Sequence, residues 1–149
     1  MRFDGKLNLV MGLLDTEWLG RQLIVYLPSN LVRAQVLPLV PEIISATARH
    51  GGTGVLIDCT SSDILPKAEE RILMAAKISA LWPRNVAMAI LVQPELQVPD
   101  NTFVHVLTKF GVTAETFHIR QDALRWLQQF GGDGNNNSDT ATPARTRTE

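Results

Sequence analysis

The stretch from Gly54 to Ile64, GVLIDCTSSDI, limits the folds open to this chain more than any other. Val55, Leu56 and Ile57 form an unbroken apolar run rich in β-branched residues, the mark of a strand covered on both faces. Asp58 ends the run. Cys59, Thr60, Ser61, Ser62 and Asp63 follow, all small residues that favour turns and helix caps. A helical pattern starts at about Leu65 and Pro66. A buried strand that runs through a polar turn into a helix belongs to an α/β protein. Such proteins place their sites at the carboxyl ends of strands.

The rest of the chain supplies elements to match. Leu7, Leu9, Met11 and Leu13 alternate with other residues and predict a first strand, with a turn over Asp15 to Gly20. Gln22 to Leu27 predicts a second strand, joined to the first as an antiparallel hairpin with Trp18 at its end. Leu31 to His50 carries apolar residues at steps of three and four, but Pro38 and Pro41 each lack an N–H and clash with the preceding turn. This predicts a kinked helix, or a short helical turn followed by a regular helix from about Pro41. Gly51 and Gly52 provide its left-handed cap.

Pro66 to Leu81 predicts the next helix, with Leu65, Ile72, Leu73, Ala76 and Leu81 as its apolar stripe and Lys67, Glu70, Arg71 and Lys77 turned away. Trp82-Pro83 stops it. Val86 to Val92 predicts a buried strand, and Gln93 to Asp100 a loop. A third helix runs from an Asp100 N-cap to Phe110, with Gly111 as its C-cap. Thr113 to His118 predicts a fifth strand. Ile119, Ala123, Trp126, Leu127 and Phe130 then stand at helical spacing. The order ββαβαβαβα implies one α/β domain over 1–130, with a five-stranded mixed sheet and about four helices. Residues 131–149 contain no large apolar side chain, so the expectation there is a disordered tail.

Composition narrows the function. The net charge is −1, with no basic block to neutralise a phosphate backbone, so nucleic acid is not an expected partner. The single cysteine, Cys59, excludes an internal disulfide and fits a reducing compartment. No apolar run reaches the ~18 residues that span a bilayer. The charged residues Arg2, Asp4 and Lys6 break up any signal-peptide pattern. The expected location is the cytoplasm. His50, His105 and His118 have no metal-ligand spacing, and neither a metal nor a cofactor is expected.

Four features together resemble the SpoIIAA-like, or STAS/SEC14-type, family of small bacterial domains. They are the strand and turn VLIDCTSSDI, the strand RNVAMAILV, the segment ETFHIRQDALRWLQQF, and a helix closed by HGG just before the central strand. The likeness spans Leu7 to Phe130. It implies a STAS-like fold and a regulatory module that works through protein contacts, and the SEC14 connection implies an apolar or lipid ligand. The phosphorylatable members have an aspartate–apolar–serine start, then a second aspartate followed by serine, serine or threonine, and glycine. Asp58-Cys59-Thr60 is similar to that start, but Ser61-Ser62-Asp63-Ile64 departs from the rest and no glycine follows.

The residues themselves leave several sites open. Asp58, Thr60, Ser61, Ser62 and Asp63 form a candidate partner-binding or phospho-acceptor turn with N–H groups at a helix start. Plain capping by Ser62 or Asp63 accounts for the same residues. Glu95, Leu96 and Val98 lie in the proline-bounded loop after a buried strand, a candidate interface. Cys59 is either a small core residue or a thiol nucleophile. The leading expectation is a non-enzymatic regulatory or adaptor module with a protein partner, a second copy of the chain being one candidate. The alternatives are a carrier of a small apolar or lipid ligand, and a thiol-dependent or hydrolytic enzyme around Cys59.

Overall fold

In a computed structural model, residues 15–28, 33–62, 66–94 and 101–130 are described. They form a five-stranded sheet in the order β1-β2-β3-β4-β5: β1 is Asp15–Leu19, β2 Gln22–Tyr26, β3 Gly54–Asp58, β4 Ala87–Leu91 and β5 Ala114–Phe117. β1 pairs antiparallel with β2, and the other pairs are parallel. Five helices accompany them: α1 (Arg33–Val36), α2 (Val40–His50), α3 (Ala68–Leu81), α4 (Thr102–Lys109) and α5 (Arg120–Gln128). The expected mixed sheet and ββαβαβαβα order are present, with α1, a 3-10 turn at Leu37–Leu39 and α2 forming the proline-kinked first helix.

Strand order explains where the helices lie. From β2 to β5 each parallel strand is added on the same side of its predecessor. Right-handed crossovers therefore put α2, α3 and α4 on one face. Leu23, Val25, Val55, Met88 and Ile90 point to that face and pack with Val40, Ile43, Met74, Ile78, Val104 and Leu107. Among the described helices only α5, which follows the last strand, reaches the other face. There Ala123 and Leu127 meet Ile24, Leu56, Ala87, Ala89 and Leu91. Gly54 lets α5 come close, since a Cβ at this position would stand 3.0 Å from Leu127 Cδ2.

Three expectations need correction. The first concerns the hairpin. Its leading strand is Asp15–Leu19, the segment read as a turn, while Leu7 to Leu13 lies outside the described residues. Gly20, at φ 61°, and Arg21 make the turn tight enough to free the residues before it for pairing. Trp18 decides the facing: its ring sits 5.1 Å from that of His50 and covers Gly52 at the end of α2. The φ of Gly51, 65°, is the expected left-handed cap.

The second correction is the orientation of α3. Ile72, Leu73 and Leu81 are exposed, whereas Arg71, Met74, Ala75, Ile78 and Ser79 are buried. Apolar residues occur on both sides of this helix, so a helical period alone cannot choose the inner one. Met74, Ile78 and Trp82, at steps of four, decide it. Trp82 is locked inside because its indole N–H donates to the Val86 carbonyl at 2.8 Å.

The third correction is the start of α3. The helix begins at Ala68, with Lys67 at the N-cap and no side-chain cap bond, so Ser62 is not its cap. Asp63 lies outside the described residues, as do Leu65, the Asp100 cap and the tail from Gly131 onward.

Candidate functional site

Leu27 N donates to the Asp58 carbonyl, Cys59 N to the Leu91 carbonyl and Val92 N to the Phe117 carbonyl, so the ladder holds to the strands' carboxyl ends. Beyond β3 the chain turns sharply. Asp58 is buried, and its Oδ1 accepts bonds from Thr60 N at 2.9 Å and Thr60 Oγ1 at 2.6 Å. An aspartate that gathers the N–H and hydroxyl two residues on makes an Asx turn. Ser62 N donates to the Cys59 carbonyl at 3.0 Å. Gln93 Nε2 then donates to the carbonyls of Thr60 at 2.8 Å and Ser62 at 3.0 Å, which ties the turn to the end of β4.

This geometry sorts the candidate residues. Asp58 is buried and holds the Thr60 hydroxyl. Ser61 is exposed, while Ser62 is half-buried and faces inward. The turn stands well before the first residue of α3, so its hydroxyls do not sit at a helix start. Asp63, Glu95, Leu96 and Val98 lie outside the described residues.

Cys59 stands in surroundings that favour the thiol over the thiolate. Burial, with the neighbouring Asp58 charge adding to it, pushes its pKa up to about 12. Its Sγ is 3.9 Å from the Ile57 carbonyl. A nucleophilic cysteine needs the opposite environment, one that favours the thiolate.

The inward side of Ser62 opens onto the feature that the sequence did not announce. A cavity of about 190 Å³ lies between the sheet and α2, α3 and α4. Its buried walls are apolar: Ile43 from α2, Met74 and Ile78 from α3, Trp82, and Met88 and Ile90 from β4. The less buried lining residues, Pro28, Ser62, Pro66, Asn101 and Thr116, gather at the carboxyl ends of the strands. Thr116 Oγ1 donates to Asn101 Oδ1 at 3.3 Å across this rim. Arg71 is the one charged side chain among the described lining residues. It is buried, and its Nη1 donates to the Pro66 carbonyl at 2.8 Å.

Periodicity pointed to the outer face of α3, so it missed these residues. The four-residue step through Met74, Ile78 and Trp82 was the signal available.

A second polar group lies on the opposite face. Tyr26 donates to Glu17 Oε1, and Arg120 Nη1 donates to Tyr26 Oη at 2.7 Å, with Arg120 Nη2 3.7 Å from the same carboxylate. The three residues tie the edge hairpin to the start of α5. The Glu17 hydrogen bond, and then burial, raise the Tyr26 pKa, while Arg120 opposes the rise. A raised phenol favours the neutral form in the folded chain. Its contribution is therefore complete below the ordinary phenol range and is lost as pH climbs through the folded value. Glu17→Gln brings the titration down towards the ordinary value. Tyr26 is the sole tyrosine, so ultraviolet difference absorbance reads it directly, and an unmoved titration excludes the hydrogen bond as the cause.

No model of a known protein family matches this chain. No curated protein matches it either. Among the described residues no group of three or more His, Cys, Asp or Glu side chains could hold a metal ion. Among them, too, no helix is long and apolar enough to cross a membrane.

Proposed function

We propose that this chain is a non-enzymatic regulatory module of STAS-like architecture that binds a small amphipathic ligand. The observation that carries this reading is the apolar cavity behind Ser62, with Arg71 in its wall. Protein interiors are normally packed to the density of organic crystals, so a void of this size is unusual. An apolar cavity of about 150 Å³ takes up benzene, which corresponds to about 25 Å³ per carbon. By that measure 190 Å³ holds about seven or eight carbons, given as a short alkyl chain or a ring with a brief side chain. A long lipid acyl chain exceeds this room.

Arg71 sets the polar end. It lies in the first turns of α3, where the helix dipole adds positive potential, and it favours a carboxylate or another anionic head. Asn101 and Thr116 offer further hydrogen bonds at the rim. The Asx turn forms part of the wall through Cys59 and Ser62, and it presents Ser61 outward. A partner protein that contacts this turn would therefore be placed to sense whether the cavity is filled.

Octanoate is the test ligand. Burying its six methylenes and methyl at about 0.8 kcal/mol each contributes about 5.6 kcal/mol, so a Kd of about 0.1 mM is the tightest this burial allows, and the cost of association weakens it into the millimolar range or beyond. At saturating concentration octanoate raises the melting temperature, and octanol, which lacks the charge, does so less. Equal shifts for the two would remove Arg71 from the reading. No shift with either, together with a clean unliganded mass in native mass spectrometry, overturns it.

A further inference from the structure

We propose that the Gln93 side chain latches the cavity: it pins the Cys59–Ser62 turn into the rim, and its release opens the mouth. The inference rests on the ligand reading of the cavity and names the part that controls access to it. Cys59 and Ser62 both line the cavity, and Ser62 belongs to the rim at the carboxyl ends of the strands. Gln93 stands just past β4, more than thirty residues from the turn in sequence. Its Nε2 donates to the Thr60 carbonyl at 2.8 Å and to the Ser62 carbonyl at 3.0 Å. One side chain thus ties the far half of the turn to a different strand.

Two features make this a latch rather than a fixed joint. First, the turn carries its own shape. Asp58 Oδ1 takes Thr60 N and Thr60 Oγ1, and Ser62 N donates to the Cys59 carbonyl. Cys59 N stays on the Leu91 carbonyl and serves as the pivot, so the turn tips away from β4 as a unit when Gln93 lets go. Second, the latch opens into water. Thr60, Ser62 and Gln93 are each half-buried, and Pro94 beyond them is exposed. The freed amide and carbonyls are hydrated rather than stranded, so breaking the two bonds costs only their modest net worth. An open state of this kind is a minor member of the native ensemble, about 0.1–10% of it. Cys59 reports it. In the closed state its side chain packs against the core under the sheet's first face, and burial holds the thiol at a pKa of about 12. As Ser62 leaves the rim, water reaches the thiol and returns it towards its ordinary value, where the reactive thiolate forms.

Alkylation of Cys59, the sole cysteine, by iodoacetamide tests the proposal, with mass spectrometry reading the rate on the native full chain. The Sγ–carbon bond forms, iodide leaves and the thiol proton passes to water. The expected result is a slow reaction in the wild-type chain. Gln93→Ala and Gln93→Glu, neither of which can donate to the two carbonyls at neutral pH, react about tenfold faster with little change in melting temperature. Leu127→Ala is the control, because it lowers global stability from the sheet's other face and leaves the latch whole, so its rate stays at the wild-type value. Saturating octanoate slows the wild-type reaction, since the ligand occupies the space that Cys59 lines. A rate unmoved in both Gln93 variants overturns the latch. So does an equal rise in Leu127→Ala, which would route the reaction through global unfolding. Fast alkylation of the Gln93 variants with no protection by octanoate upholds the latch and removes the ligand reading instead. If Gln93→Ala fails to fold, the near-isosteric Gln93→Glu still decides.

Discussion

Leu127→Ala lowers the stability of the folded chain by about 3–4 kcal/mol, the middle of the range for deleting a buried leucine side chain. Leu127 is fully buried, and it is the largest fully buried side chain of α5. Gly54 lies directly against it, and Ala87 and Ala89 share its cluster with Ile24, Leu56 and Leu91. The short residues have no side chain that can swing into the vacancy, so part of the void persists. A domain of this size is stable by about 5–15 kcal/mol, so the loss is a large share of the whole. Urea denaturation followed by circular dichroism measures it as a fall in midpoint at constant slope. Gly54→Ala should offset part of the loss in the Leu127→Ala background, because the added Cβ occupies the freed space. The same change alone crowds Leu127 Cδ2. A loss below about 1 kcal/mol would mean that α5 does not seat on the sheet in this way.

Ile90→Trp weakens octanoate binding about a hundredfold while the chain stays folded. Ile90 lies on the central part of the sheet, and its side chain forms one wall of the cavity. An indole in its place projects into the void and takes the room of three or four ligand carbons. At about 0.8 kcal/mol per methylene this weakens binding roughly a hundredfold. Overpacking a filled core costs about 1–3 kcal/mol, but here the space already exists, so the melting temperature changes little. Isothermal titration calorimetry reads the affinity. Retained binding in a folded Ile90→Trp variant would place the ligand elsewhere and set the cavity reading aside.

The two predictions rest on different kinds of information. That α5 buries Ala123 and Leu127 follows from their four-residue spacing, and the strands at Val55 and at Ala87 to Leu91 follow from unbroken apolar runs. Such segments have one solution, because any other arrangement would leave a whole row of apolar side chains in water. The same holds for Gly51, whose left-handed φ is cheap for glycine alone. The α3 segment has two solutions. With apolar residues on both faces, the local free energy of the helix barely distinguishes them. The fit of Met74, Ile78 and Trp82 to the sheet, with the indole bonded to Val86, then made the choice. Likewise β1 became a strand because Trp18 found a surface on Gly52 and His50, which lie more than thirty residues away.

The turn from Asp58 to Ser62 combines both levels. An aspartate two residues before a threonine is enough to form the Asx turn, and that much was legible in the sequence. The clamp from Gln93 and the opening of Ser62 onto a cavity depend on residues brought together only when β3 and β4 pair. Local pattern thus determined the elements from β2 onward, their order and the mixed sheet. Tertiary packing decided which face of α3 went inside, and with it the site. A cavity is the space left between side chains distant in sequence, and no single segment encodes it.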